Sequence, residues 1–150
     1  MIVKAHISDA KVLSEIAMIS KGYWGYTKEQ LDSWIADLTI SEQMISKMIV
    51  YKFIAINEIV GFYILNQPKE HSIELEFLFV HPKFIGKGIG NSLIQHAFEK
   101  AKFLNCKRIT VLSDPNAASF YKAKGFYEID KKESSISGRF LPILQKDVTS

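Results

Sequence analysis

The sequence of 150 residues has one cysteine and no long apolar run, and each absence excludes a class of protein. A single cysteine rules out an internal disulfide and a thiolate-rich zinc site, and it suits a reducing compartment. No apolar stretch approaches the roughly 18–20 residues that cross a bilayer, so no membrane association is expected. Lys4, His6 and Asp9 interrupt the apolar N-terminal segment, which is therefore not predicted to be a signal peptide. We expect a cytoplasmic protein.

Charge of one sign is not in marked excess either. Nineteen Lys and Arg against 16 Asp and Glu leave a formal net charge of +3, with the basic residues scattered along the chain. Nucleic-acid binding needs basic residues clustered beside stacking aromatics, so no nucleic-acid partner is expected. No metal is predicted, because no metal-ligand spacing relates the four histidines His6, His71, His81 and His96. Without repeats or a linker, residues 1–150 are predicted to form one domain.

Hydrophobic periodicity predicts strands and helices that alternate along the chain. The first half is expected to contain a strand at Ile2–Ile7, helices capped by Asp9, Thr27 and Ser41, strands at Met48–Ile56 and Ile59–Leu65 joined by a hairpin turn at Asn57-Glu58, and a strand at Ser72–Val80. The second half is expected to contain helices at Leu93–Leu104 and Asn116–Lys124, and strands at Arg108–Ser113, Phe126–Ile129 and Phe140–Leu144. This order predicts an α/β fold with a mixed sheet flanked by helices.

A glycine-rich turn, Gly86-Lys87-Gly88-Ile89-Gly90, lies between a predicted strand and the long helix. Glycines let the backbone approach a ligand closely, and N–H groups at the start of a helix favour phosphate. The turn is not a P-loop and lacks the GxGxxG spacing of a dinucleotide-binding fold. Taken alone, three alternating glycines are also explained by a tight strand-to-helix connection.

Three segments in order resemble the GNAT superfamily of acyl-CoA-dependent N-acetyltransferases: Leu75–Pro82, the glycine turn, and Asp114–Phe126 with its Phe-Tyr-x-x-x-Gly-Phe ending. The resemblance implies a GNAT-type mixed, mostly antiparallel central sheet with flanking helices, and it is compatible with a homodimer. One departure is Ile85, where the family's pyrophosphate loop usually begins with Arg or Gln. The backbone amides of the turn remain and are expected to supply most of the anion contact.

The same resemblance implies acetyl-CoA as co-substrate and assigns its contacts. The implied cofactor-binding residues are Leu78, Phe79, Val80, Gly86, Lys87, Gly88, Ile89, Gly90, Asn91 and Asn116. Backbone N–H groups near Phe79 or Val80 are expected to hold the oxyanion, where the family separates this strand from its neighbour. Tyr121 matches the family's general acid, which protonates the departing thiolate. Its other interpretation is simple packing of the short helix.

Amine acetylation also needs a base, because a protonated amine has no lone pair for attack. Glu74 and Glu76 share a face of the predicted strand, and neighbouring carboxylates raise the pKa of one of them. Glu76, deeper in the strand, is taken as the catalytic base, and Glu74 is placed in the amine site. A solvated strand face explains the pair equally well, and His81 is a further candidate base.

Trp24 and Tyr26 fall in the loop where the family places its variable acceptor site. Aromatic rings there are expected to wall off an amine by hydrophobic and cation–π contact, although capping of the core explains them equally well. Cys106 has no helix start or base nearby and is expected to be a bystander.

The predicted reaction is direct attack of a primary amine on acetyl-CoA in a ternary complex. The alternative is a non-catalytic acyl-CoA-binding sensor or interaction module, against which Tyr121 argues. The acceptor itself stays open among polyamines, amino acids, aminoglycosides and protein amines, because one fold supports all of them.

Overall fold

The computed structural model describes residues 1–148 as a chain of seven strands and six α-helices. The strands are β1 (Ile2–Lys4), β2 (Ile49–Ala55), β3 (Glu58–Leu65), β4 (Ser72–Val80), β5 (Arg108–Leu112), β6 (Tyr127–Glu133) and β7 (Phe140–Asp147). The helices are α1 (Ala10–Gly22), α2 (Lys28–Ser33), α3 (Ile35–Leu38), α4 (Glu42–Lys47), α5 (Ile89–Phe103) and α6 (Ala118–Ala123). No helix in this part of the chain is both long enough and apolar enough to cross a membrane.

The strands form one mixed sheet in the order β1-β2-β3-β4-β5-β7-β6. The pairs β1–β2, β2–β3, β5–β7 and β6–β7 are antiparallel, whereas β4 and β5 are parallel. A parallel pair needs a long crossover connection, and α5 lies in that connection. The prediction of an α/β fold with a mixed, mostly antiparallel sheet and flanking helices is therefore confirmed.

The chain divides into two compact units. The first comprises Met1–Leu65 and Phe77–Ala97, and the second comprises Asn66–Glu76 and the chain from Phe98 onward. Strand β4 and helix α5 each contribute residues to both units. That residues 1–150 act as one domain stays a prediction.

The core of the first unit is built on β3 and α1. Six consecutive residues of β3, from residue 60 to 65, are buried, and they include the fully buried Phe62 and Tyr63. Leu13, Ile16 and Ala17 of α1 are buried at helical spacing, as the sequence predicts. The apolar spacing of the sequence also predicts Val12 on this face, but Val12 is 39% exposed. The buried face of α1 therefore excludes Val12 and continues beyond Ala17 to Ser20, which is 7% exposed.

In the second unit, alternate residues of β4 and β5 are buried. Ile73, Leu75, Ile109 and Val111 are at most 4% exposed, and the fully buried Leu144 lies on β7 beside them. The Phe98 and Phe126 rings approach to 5.9 Å between centroids. Period-two burial on these strands is what the sequence pattern predicts for strands that cover a core.

Two predicted helix caps are confirmed, and the third, Asp9, is the N-cap residue of α1 as predicted but lacks the capping bond. Thr27 with Gln30 forms a capping box on α2, and Ser41 caps α4. Asp9 makes no side-chain cap on α1. Its Oδ2 atom instead accepts the His6 N–H at 2.8 Å and the Lys52 ammonium at 2.6 Å. A lysine distant in sequence therefore redirects this carboxylate, and local helix signals do not report it.

Candidate active site

The glycine turn leads directly into the first turn of α5. Gly86 and Gly88 have φ angles of 84° and 78°, a region that residues with a Cβ rarely adopt. Beyond the adjacent residues, no heavy atom of residues 1–148 lies within 4 Å of a Cβ built at either glycine. The space beside this backbone is therefore open, as a closely approaching ligand requires.

The start of α5 supplies N–H groups to that open space. The bond from the Ser92 N–H to the Gly88 carbonyl, 3.0 Å long, is of the i→i−4 type. The N–H groups of Ile89 and Gly90 precede it and lie at the positive end of the helix dipole. Such a helix start suits a phosphate group. Ile85, where a family member usually has Arg or Gln, is 49% exposed.

The last residues of β4 alternate in the direction of their backbone groups. The His81 N–H donates to the Val60 carbonyl at 2.8 Å, and the Phe79 carbonyl lies 2.9 Å from a Cβ built at Gly61. Phe79 and His81 therefore face β3. Val80 lies between them, so its N–H and carbonyl point to the opposite edge of β4. Pairing with β5 ends at Leu75, well before Val80.

Ser20 contacts this opposite edge. Its hydroxyl donates to the Val80 carbonyl at 2.8 Å, so a residue of α1 holds the last peptide of β4. Ser20 was not predicted as a site residue from the sequence. The available signal was its place on the stripe that begins with Leu13 and Ile16, because a serine on a buried face needs a hydrogen-bond partner.

Glu74 and Glu76 lie close together in the second unit. Glu74 is exposed and Glu76 is half-buried. Partial desolvation, followed by the Glu76 carboxylate, raises the pKa of Glu74. Asn66, which the sequence analysis did not single out, donates its side-chain amide to Glu76 at 3.0 Å and its backbone N–H to the Glu74 carbonyl at 2.9 Å. Asn66 therefore holds both glutamates in place.

Tyr121 is 5% exposed within α6, and its ring packs edge-on against Phe120 and Phe126. Burial, and then the Asp114 carboxylate, raises the pKa of Tyr121 well above its usual range. The phenol therefore keeps its proton at any pH at which an amine is acetylated. The position combines a packed ring with a hydroxyl that is protonated at neutral pH.

Asp114 organises the turn that precedes α6. Its carboxylate accepts the Asn116 N–H at 2.8 Å and pairs with the Arg139 guanidinium at 3.3 Å. Asn116, expected among the cofactor contacts, therefore lies in a short 3₁₀ turn fixed by Asp114. Arg139 was not predicted as a site residue from the sequence, because it lies in the polar stretch between β6 and β7.

The two aromatic candidates of the acceptor loop have different surroundings. Trp24 is 46% exposed and packs edge-on against Tyr23, which is 55% exposed. Tyr26 packs edge-on against the buried Trp34, and the Lys21 ammonium lies over both of these rings at 5.3 and 5.0 Å. The open aromatic surface of this loop is therefore the Tyr23–Trp24 pair.

Cys106 is buried, and burial raises the pKa of its thiol. A thiol in this environment is a poor nucleophile, in agreement with the bystander interpretation. Within residues 1–148, no three His, Cys, Asp or Glu side chains come together as a metal-binding group.

Comparisons with known proteins bear on the family. A family model described as an acetyltransferase (GNAT) domain matches residues 46–128, more than half of the chain. The uncharacterized N-acetyltransferase ycf52 of Pyropia yezoensis is 27% identical over 116 residues, which are 77% of this chain and 64% of that protein. The chain thus spans less than two thirds of the length of this curated relative.

Solved structures share the fold. The PaiA N-acetyltransferase of Thermoplasma acidophilum, in complex with coenzyme A, matches with a TM-score of 0.83 at 23% identity over 98% of each chain. The ribosomal-protein-S18-alanine N-acetyltransferase of Escherichia coli matches with a TM-score of 0.75 at 15% identity over 100% of this chain and 94% of that one. At these identities the likeness shows the fold. With the family model, it confirms the resemblance and, at the level of the family, the acyltransferase class: the chain belongs to the GNAT acetyltransferases.

Proposed function

We propose that this protein transfers the acetyl group of acetyl-CoA to a primary amine by direct attack in a ternary complex. The observation that carries the proposal is the open turn at Gly86 and Gly88, which leads into the N-terminus of α5. A pyrophosphate fits there, because N–H groups and the helix dipole both favour an anion. The coenzyme A bound to the similar PaiA fold supports the same ligand class.

The proposed steps balance as a simple acyl transfer. Glu76 takes a proton from the amine, with Glu74 beside the acceptor, and the nitrogen forms a bond to the thioester carbonyl carbon. The oxyanion is held by the backbone N–H of Val80, because the backbone groups of Phe79, the other expected donor, face β3. The carbon–sulfur bond then breaks, and Tyr121 gives its proton to the thiolate. Because its pKa is raised, Tyr121 still carries this proton when the thiolate forms.

The aromatic pair Tyr23–Trp24 is the favoured contact for the acceptor's carbon skeleton, since both rings are substantially exposed. Tyr26 already has the Lys21 ammonium over its ring, so we place it behind this surface as a support. Buried Cys106 supports direct transfer rather than an acetyl-enzyme intermediate, which needs an activated thiol.

Release of free coenzyme A, measured with a thiol reagent across a panel of amines, tests the function. We expect amine-dependent release above the hydrolysis background for at least one acceptor. Mass spectrometry should then show an acetyl group on that amine. Tight acetyl-CoA binding without amine-dependent release across the whole panel would support the non-catalytic sensor instead.

The glutamate pair has a testable pH dependence. Glu76→Gln removes the negative charge beside Glu74, so the pKa of Glu74 should fall towards its ordinary value. An NMR titration of the Glu74 carboxyl should therefore have a lower midpoint in this variant. Because glutamine cannot accept a proton from the amine, Glu76→Gln should also lower kcat by about 10²-fold.

Glu74→Gln, compared with Glu76→Gln, separates amine binding from the role of the base. Glu74→Gln should keep kcat within a few-fold, because the base remains, and should act mainly on KM for the amine. Glu128→Gln, an exposed carboxylate on β6, is the control for a surface charge and should change neither quantity. If Glu74→Gln abolishes turnover and Glu76→Gln merely moves the acid limb to lower pH, Glu74 is the base and the assignment to Glu76 is wrong.

A further inference from the structure

We propose that Ser20 is a positioning residue of the acyl-transfer site, which fixes the Val80 peptide so that the Val80 N–H is aimed at the acyl oxygen of the bound thioester. The proposal rests on the acetyl-transfer function proposed above. Its basis is one hydrogen bond, from the Ser20 hydroxyl to the Val80 carbonyl, made by a serine that is 7% exposed.

The backbone N–H and carbonyl of Val80 both point away from β3. Its neighbours Phe79 and His81 both face β3, so the two backbone groups of Val80 face the other edge. Both groups of one residue point to the same side of a strand. A contact that fixes the carbonyl therefore also fixes the direction of the N–H.

Different contacts hold the two edges of the end of β4. On the β3 side, the bond from His81 to Val60 keeps the strand in place. On the opposite edge, the pairing with β5 stops at Leu75, so ladder bonds to β5 do not reach Val80. Ser20 supplies a hydrogen bond on this edge. An oxyanion donor must be held in its working direction before the reaction, since reorientation during the reaction raises the barrier.

Ser20 has an unusual hydrogen-bond partner for a serine within a helix. A serine inside a helix commonly bonds back to the carbonyl four residues earlier, as Ser14 does with Ala10 in the same helix at 2.8 Å. The recorded bond of Ser20 goes instead to a strand 60 residues away in sequence. Ser14 also contacts a distant segment, through the Ile40 N–H at 2.8 Å, but that segment precedes α4 and carries no predicted site residue. Ser14 is therefore a matched control for loss of a buried tertiary hydrogen bond.

Isotope-edited infrared spectroscopy of bound acetyl-CoA, labelled with ¹³C at the thioester carbonyl, reads the donor without any turnover. A hydrogen bond to this oxygen lowers the carbonyl stretching frequency. We expect the shift on binding to fall by about half or more in Ser20→Ala and to persist in Ser14→Ala and Ser20→Thr, since threonine keeps the hydroxyl. Calorimetry should show an acetyl-CoA Kd within about threefold of the unaltered protein for all three.

Kinetics with an active amine give the second readout. Ser20→Ala should lower kcat about tenfold with little change in KM, whereas Ser14→Ala should lose thermal stability without losing kcat. If Ser20→Ala does not fold, Ser20→Cys carries the same comparison, because it keeps the size and replaces the hydroxyl by a weak donor. An unchanged carbonyl band in a folded Ser20→Ala or Ser20→Cys protein that binds acetyl-CoA overturns the role of Ser20 alone. Absence of acetyl-CoA binding by the unaltered protein overturns the proposed function and this inference with it.

Discussion

Tyr121→Phe is expected to lower turnover by about 10²–10⁴-fold while leaving acetyl-CoA affinity nearly unchanged. The substitution removes only the hydroxyl and keeps the ring that packs against Phe120 and Phe126. The proton on Tyr121 is retained at every working pH because burial and Asp114 raise its pKa. Loss of this donor forces the thiolate to leave unprotonated. Steady-state kinetics and calorimetry of acetyl-CoA binding measure the two quantities.

Tyr127→Phe is the matched control for Tyr121→Phe. Tyr127 lies in the same unit, and its hydroxyl accepts a hydrogen bond from the Gln145 amide at 2.9 Å, so its removal also costs a polar contact. We expect kcat to stay within twofold in this control. Normal turnover by a folded Tyr121→Phe protein would make Tyr121 a packing residue and would assign thiolate protonation elsewhere.

Strand and helix positions were predictable where one local signal dominated. The apolar alternation of Ser72–Val80 predicted β4 to the residue, and Thr27 with Gln30 predicted the start of α2. These signals succeed because the partners are neighbours in the sequence or repeat at a fixed period. The glycine turn was predictable for the same reason, since positive φ at Gly86 and Gly88 depends on local backbone sterics.

Boundaries set by tertiary contacts were not predictable. The hairpin turn was expected at Asn57-Glu58, but its central residues are Ile56 and Asn57, with φ of 52° and 62°, and Ala55 pairs with Glu58. A β-branched residue disfavours this conformation, so the register of β2 and β3 overrides local preference at Ile56. The helical spacing of Leu31, Trp34, Ile35 and Leu38 predicts one continuous helix, but α2 ends at Ser33 and α3 begins at Ile35.

In the candidate site, too, features set by local sequence were predictable and features set by tertiary contacts were not. The turn and Tyr121 carry a spaced motif, which is readable in one dimension. The hydrogen bonds of Ser20 with Val80 and of Arg139 with Asp114 join residues 60 and 25 positions apart, and nothing in the local sequence specifies them. The contacts that support the candidate site residues are thus the part that the sequence does not indicate.

Gly88→Asp is expected to weaken acetyl-CoA binding by more than 100-fold while the protein stays folded. Aspartate tolerates the positive φ of 78° at this position better than most residues, and a Cβ there has no neighbour within 4 Å beyond the adjacent residues. Its charge lies at the N-terminus of α5, where it interacts favourably with the helix dipole by about 0.3–1 kcal/mol. The same charge occupies the space proposed for the pyrophosphate and repels it. The acetyl-CoA affinity measured by calorimetry should therefore fall while the melting temperature of the protein stays nearly unchanged.

Two further variants serve as controls for the effect of Gly88→Asp on acetyl-CoA binding. Gly138→Asp places the same residue at a glycine with the same φ of 78° and equally open surroundings, in the connection between β6 and β7, and should leave acetyl-CoA affinity unchanged. Gly88→Asn adds nearly the same volume without the charge and should weaken binding less than Gly88→Asp does. Because general unfolding would lower stability and binding together, a Gly88→Asp protein that melts near the unaltered temperature and no longer binds locates the pyrophosphate at this turn. Unchanged affinity in that variant would place the cofactor elsewhere on the chain.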